Sequence, residues 1–370
     1  MRILLVSDKY KGSLAASEVN KSLENGLKTV FPDAVFDHCP LADGGEGTTE
    51  AMVTALGASW QKTEVLDAQN RPHTARWGLI RENGGLAIME MSAASGIILV
   101  SDIELNPYKA STYGTGMLLK AAFNYPVKKI IIGIGGSATN DGGLGMALAL
   151  GYQFYRQGQA FQPDLNTLLE ADQVKAPPAL NTQVLVACDV QNPLLGPTGA
   201  TRIYGPQKGV KDFAWFEARL DHLAKLAQRD LGITAHETPG AGAAGGLGFG
   251  LMAFAKAQLT SGFTLIAEHL HLAERMARAD LIVTGEGRLD AQSLNGKGPV
   301  GVATLARAQG KKVLGVAGSI SPADDLQKSF DHLIKVKPDD MPLEVAMAQT
   351  APLITTAVQA HAATLRQKFA

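Results

Sequence analysis

The sequence is poor in several features, and each shortage removes a class of protein. Cysteine occurs twice in 370 residues, at Cys39 and Cys188, and no C-x-x-C pair exists. A disulfide scaffold and a zinc knuckle are both poor readings of that count. Neither sign of charge is in excess: 34 basic against 35 acidic residues leave a net charge of -1. That balance argues against nucleic acid and against an anionic membrane surface as partners. Long apolar runs are missing too. The apolar stretch at 3–6 is too short for a signal-peptide core. The small and apolar run at 241–255 holds five glycines and falls short of a spanning helix. There is no G-x-S-x-G elbow and no H-E-x-x-H pair. The expectation is a soluble, cytoplasmic protein with no membrane and no nucleic-acid partner; a homo-oligomer stays open.

Glycine is abundant, with 40 residues, against 46% apolar and 19% charged positions. The apolar and charged shares are those of a globular chain. The glycines cluster between ordered elements, where they let backbone approach something closely. The length predicts two to three domains.

Hydrophobic periodicity sorts the chain into alternating strands and helices. Apolar runs at 3–6, 34–39, 129–134, 281–284, 313–316 and 333–336 read as strands. Helical spacing recurs at Val19, Leu23 and Leu27, at 48–56, at 117–123, after Pro299 and over 354–369. Such alternation predicts an α/β fold, a Rossmann-like doubly wound and mainly parallel sheet. Residues 59–90 break the rhythm with consecutive strands, which suggests antiparallel pairing. Residues 152–260 hold Pro and Gly clusters, one clear strand (183–188) and two long helices. The two breaks predict an inserted second α/β domain of residues 59–109 and 151–261. Residues 1–58, 110–150 and 262–370 would form the Rossmann-like domain, with the active site in the cleft between the two.

Ligands of open parallel sheets bind outside the carboxyl ends of the strands. Five predicted strand ends carry glycine with polar or charged residues. They are Ser7-Asp8-Lys9-Tyr10-Lys11-Gly12, Asp43-Gly44-Gly45-Glu46, Gly135-Gly136-Ser137-Ala138-Thr139-Asn140-Asp141, Gly285-Glu286-Gly287-Arg288-Leu289-Asp290 and Ala317-Gly318-Ser319. One such end is ordinary turn chemistry. Five converging on one edge of a sheet point to a polar site. Each also has a bland reading: Asp43 with Glu46 has the spacing of a helix capping box, and Asn140 and Asp141 are good N-caps.

Other motifs are two-sided in the same way. Lys297 precedes a helix that can start at Pro299, a place that favours an anion. Lys208 could touch phosphate or cap a turn. Asp189 closes the strand at 183–188 and could serve as general base, or begin a turn before Pro193. The glycine-rich stretch at 240–250 permits either tight packing or the close passage of a nucleotide. Gly133 to Ala138 fits G-x-G-x-x-A after a strand, so a nicotinamide-dependent dehydrogenase acting on a small hydroxy acid stands as an alternative. A non-catalytic sugar-acid or nucleotide sensor is a further one.

Taken in order, these motifs resemble the bacterial two-domain glycerate kinases of glycerate and glucarate catabolism. The matching segments are Ser7-Asp-Lys-Tyr-Lys-Gly-Ser-Leu14, Pro40-Leu-Ala-Asp-Gly-Gly-Glu-Gly47 and Gly133-Ile-Gly-Gly-Ser-Ala-Thr-Asn-Asp-Gly-Gly143. Further segments are Cys188-Asp-Val-Gln-Asn-Pro-Leu194, Gly205-Pro-Gln-Lys-Gly209, Gly240-Ala-Gly-Ala-Ala-Gly-Gly246 and the run from Thr284 to Pro299. At Lys9 and Tyr10 the family usually shows Ser and Phe, so those two residues inherit no role. The resemblance implies phosphorylation of D-glycerate by ATP with a divalent metal, Mg²⁺, and 2-phosphoglycerate in preference to 3-phosphoglycerate. Phosphoryl-transfer chemistry read onto the strand ends makes Asp189 the expected base, with Lys11 and Lys297 neutralising phosphate or the substrate carboxylate. Asp43, Glu286 and Asp290 are the expected metal carboxylates. Asp8, Gly12, Gly44, Gly45, Gly135, Gly136, Ser137, Thr139, Asn140, Asp141, Asn192, Lys208 and Gly285 are the expected substrate and nucleotide contacts.

Overall fold

The computed structural model describes residues 1–370 except 43, 102, 179–180, 291–292, 294–297 and 322–323. Its strands are, in chain order, β1 (Arg2–Leu5), β2 (Val35–His38), β3 (Ser59–Leu66), β4 (Pro72–Ile80), β5 (Leu86–Glu90), β6 (Lys129–Gly133) and β7 (Gln153–Arg156). There follow β8 (Gln159–Phe161), β9 (Gln173–Lys175), β10 (Gln183–Ala187), β11 (Gln258–Thr260), β12 (Leu281–Leu289), β13 (Lys312–Ile320) and β14 (His332–Lys335). The chain divides into two compact units. One holds Met1–Asp43, Glu50–Gly57 and Phe263–Ala370; the other holds Gly44–Thr49 and Ala58–Gly262.

Unit one is built on a five-stranded sheet in the order β14-β13-β12-β1-β2, parallel throughout. From β1 the chain moves outward to β2, and from β12 it moves the opposite way to β13 and β14. The order therefore reverses between β1 and β12, and open α/β sheets bind ligands at such a point. Helix Ala16–Val30 covers one face, with Val19, Leu23, Leu27 and Val30 buried at helical spacing. Burying one such leucine stabilises by about 1.5–3 kcal/mol. The same helix buries Asn20, whose Oδ1 accepts from Ser7 N at 3.1 Å and whose Nδ2 donates to Leu5 O at 3.0 Å. That pair of bonds fixes where β1 stops and its site loop begins. The expected single helix over 354–369 is two, Thr350–Ala360 and Ala362–Phe369, broken at His361.

Unit two holds a six-stranded sheet in the order β11-β10-β6-β5-β4-β3. β5, β6, β10 and β11 run parallel, while β3–β4 and β4–β5 pair antiparallel, as the consecutive strands at 59–90 suggest. A small antiparallel sheet, β8-β7-β9, lies beside it in sequence. The core gathers Trp77, Phe154, Phe249 and Phe254 with the aliphatic faces of β5, β6 and β10.

The division differs from the expected one over residues 44–49 and 110–150, which both fall in unit two. Strand β6 is hydrogen-bonded between β5 and β10, and helix Tyr113–Phe123 is the crossover that carries β5 into β6. An apolar strand followed by a helix has the same pattern whichever sheet it joins, so sequence alone misassigned it. Among the described residues no helix is long and apolar enough to cross a membrane.

Candidate active site

The glycine-bearing strand ends, expected from sequence to converge on one sheet edge, occupy instead the carboxyl edges of two sheets. In unit one these are the ends of β1, β12 and β13. A second difference is that β12 and β13 run on together through Leu289 and Ile320, well past the end of β1. Gly285 and Glu286, expected in a loop, therefore lie on a strand. The extended pleat puts Glu286 and Arg288 on one face, two residues apart.

A cavity of about 460 Å³ opens here, lined by Asp8, Lys9, Lys11, Glu286 and Arg288 among others. The Asp8 amide donates to Gly285 O at 2.9 Å, which joins the β1 loop to β12 at the reversal point. Lys9 Nζ lies 3.7 Å from Asp8 Oδ1. Ser293 Oγ donates to Glu286 Oε1 at 2.8 Å and accepts from the Asp290 backbone amide at 3.2 Å, so one hydroxyl ties the Glu286 carboxylate to the backbone of the Asp290 turn. Arg288 Nε sits 3.2 Å from Asp290 Oδ2. Tyr10 is buried beneath the cavity and donates to Val316 O at 2.9 Å; burial, and then Glu286, push its hydroxyl pKa up. Gly12 adopts φ +74° beside Met347. Asp43 and Lys297 lie outside the described residues.

In unit two, residues 44–49 cross the carboxyl ends of β5, β6 and β10. A Cβ on Gly44 would stand 2.7 Å from Ala187 Cβ, and one on Gly135 would stand 2.7 Å from Gly45 Cα. The glycines at 133–136 thus make room for the neighbouring loop. Helix Leu144–Ala149 starts far beyond them, so the dinucleotide fingerprint is not formed. Glu90, at the end of β5, accepts from Thr49 N at 2.6 Å, from Gly47 N at 3.1 Å and from Ser92 Oγ at 2.9 Å. Its carboxylate caps helix Thr48–Leu56, while Glu46 is exposed. Burial raises the Glu90 pKa against the pull of those hydrogen bonds. Sequence reasoning missed Glu90, although its signal was present: a carboxylate at the end of a predicted strand.

The loop from Gly136 to Asp141 is held from within the same unit. Lys208 is buried, and its Nζ donates to Ser137 Oγ at 2.6 Å and to Thr139 O at 2.7 Å. Burial lowers its pKa to about 7, with Asp141 opposing. Asp141 accepts from Thr112 N and Thr112 Oγ1, both at 2.8 Å, and from Gly143 N and Gly145 N, both at 3.2 Å. It is a helix cap, and burial raises its pKa. Asn140 Nδ2 donates to Thr201 Oγ1 at 3.0 Å. The side-chain oxygens of Thr139 and Asn140 are buried without a hydrogen-bond partner among the described residues. The glycine-rich stretch packs tightly on this loop: a Cβ on Gly245 would stand 1.9 Å from Thr139 O. Asp189 Oδ1 accepts from Ser261 Oγ and from Gly262 N, each at 3.0 Å, at the start of helix Gly262–His269. Asn192 spends its amide on Thr198 O at 2.8 Å and on the Tyr204 hydroxyl at 2.7 Å, holding a turn.

Charged, glycine-lined carboxyl edges on mainly parallel sheets are where α/β proteins take small polar ligands. The model of the glycerate kinase family matches residues 3–366, and this chain belongs to that family. It is 43% identical over 339 residues to glycerate 2-kinase of Escherichia coli K12, covering 90% of this chain and 88% of that one. It is 39% identical over 375 residues to glycerate kinase of Bacillus subtilis 168, covering 99% and 98%. The crystal structure of a Salmonella typhimurium LT2 chain assigned as glycerate kinase 2 superposes with a TM-score of 0.88, at 39% identity, covering 99% of this chain and 98% of that one. The protein is therefore a kinase acting on glycerate, and the dehydrogenase and sensor readings fall away.

Proposed function

We propose that the chain transfers the γ-phosphoryl group of ATP to D-glycerate and that the product is 2-phosphoglycerate. The observation that carries this reading is the charged cavity where the unit-one strand order reverses, with Asp8, Lys11, Glu286 and Arg288 in its lining. The name of the Escherichia coli relative supports the 2-hydroxyl as acceptor.

Phosphoryl transfer calls for positioning, charge neutralisation and a group that takes the hydroxyl proton. Lys11 would neutralise phosphate. Glu286 and Asp290 suit Mg²⁺, which takes one or two carboxylates and completes its shell with water and phosphate oxygens. Such an ion would neutralise phosphate charge. Asp189 would take the acceptor hydroxyl's proton. Asn192 and Asp141 would act by holding loops, since their side chains are spent on protein groups.

The test is ³¹P NMR of the protein with ATP, Mg²⁺ and D-glycerate. A 2-phosphoglycerate signal is expected. A 3-phosphoglycerate signal would refute the regiochemistry, and intact ATP in a folded sample would refute the choice of phosphoryl donor.

A further inference from the structure

The unit-one cavity has a second chemical character that glycerate does not use. Its strand-end lining is charged, but the part contributed by helices Leu343–Ala348 and Thr350–Ala360 is apolar: Leu343, Ala346, Met347 and Leu353, with Val336 after β14. Leu343 stays 64% exposed although it lines the cavity. Glycerate is a small acid with hydroxyls along its length and no apolar face to set against that wall. A purine nucleotide has both parts: a flat base with apolar faces and a polyanionic tail. The volume of about 460 Å³ falls within the roughly 300–1,000 Å³ of cofactor pockets. The helical wall is also fixed to the loop that carries Lys11. Ser13 Oγ donates to Met347 O at 2.9 Å and is hydrogen-bonded to Thr350 Oγ1.

Resting on the reading of ATP as phosphoryl donor, we propose that the base and ribose of the nucleotide occupy the helix-lined part of this cavity, against Leu343, Met347 and Val336. The phosphates then point to the strand ends, toward Lys11 and Arg288. Residues 336–353 thereby become the nucleotide-selecting segment of the enzyme, separate from the residues that recognise glycerate.

Two variants test this. Leu343→Glu puts a carboxylate into the apolar wall at an exposed position, where folding is least at risk. Met347→Ala removes apolar contact, and the Met347 backbone carbonyl that holds Ser13 is retained. For both, the expected result is a KM for ATP raised about tenfold or more, as lost apolar contacts of this size cost. The KM for D-glycerate should stay near wild type, and a fluorescent ADP analogue should bind more weakly by a similar factor. A raised glycerate KM with unchanged ATP KM would assign the cavity to the acid and overturn the proposal. Unchanged values for both substrates, in variants with wild-type melting temperatures, would overturn it as well. A wild-type protein that makes no phosphoglycerate from ATP would instead remove the donor reading on which the proposal rests.

Discussion

Lys208 Nζ lies 2.6 Å from Ser137 Oγ, buried within unit two, with Thr139 O as its second acceptor. A neutral amine has two N–H donors, and the site offers two acceptors. Burial lowers the folded pKa to about 7 from the usual 10.5. Between those values the unfolded chain binds a proton that the native state lacks, so stability from this group rises with pH from about 7 toward 10.5. Below about 7 both states are protonated and the cost of charging the buried amine is fully present. The slope for one proton is at most about 1.4 kcal/mol per pH unit.

Lys208→Met should remove that pH dependence and, by leaving two buried acceptors unpaired, destabilise unit two by about 1–3 kcal/mol or more at alkaline pH. The three tryptophans, Trp60, Trp77 and Trp215, all lie in unit two, so their fluorescence in urea reads this unit. The stability gap between wild type and variant should widen as the pH is raised from about 6.5 to about 8.5. A gap independent of pH would sink the assignment.

Glu90→Gln exchanges one acceptor oxygen for an NH₂ group facing the donors at Gly47, Thr49 and Ser92. The loss should be about 1–3 kcal/mol, felt first at the start of helix Thr48–Leu56. Hydrogen exchange is the direct readout. Peptides covering 44–49 should exchange faster while those from 263–370 do not change; equal protection in the variant would rule out the cap.

Asp189→Asn keeps an oxygen for Ser261 Oγ and Gly262 N and removes the basic carboxylate. The expected result is a kcat lower by about 10²–10⁴-fold, the usual worth of a general base, with an unchanged melting temperature. Wild-type turnover would show that another group takes the proton.

Two glycines of unit one should differ sharply. A methyl on Gly285 would stand 1.9 Å from Val316 O, across the β12–β13 pair, and neither strand can give way. Gly285→Ala should lose more than about 4 kcal/mol or fail to fold. At Gly12 the obstacle is the mobile end of Met347, at 3.1 Å, and the main cost is the positive φ of +74°, worth about 1–2 kcal/mol. Gly12→Ala should therefore be soluble with a modestly lower melting temperature, and comparable melting losses in the two variants would contradict this account.

Much of the architecture was legible in the sequence because strand and helix periods are local. Helix Thr48–Leu56 and the antiparallel run at 59–90 follow from spacing alone. The strand-end rule also marked Asp8, Lys11 and Glu286, and the cavity lining contains all three. The same rule, applied to β5, would have found Glu90.

Local pattern alone determined the alternation of elements, the polar glycine-rich ends and, through the ordered motifs, the glycerate kinase resemblance. Tertiary structure decided which sheet each strand joins: β6 pairs with β5 and β10, so residues 110–150 belong to unit two. It also decided which polar residues are spent. Lys208 and Asp141 are two-sided in sequence, and each is consumed by protein partners far along the chain, Lys208 by Ser137 and Thr139 and Asp141 by Thr112. The physical reason is the same in both cases. Hydrophobic period and turn chemistry act over a few residues, whereas strand pairing and the satisfaction of buried polar groups depend on partners that only folding brings within hydrogen-bond distance.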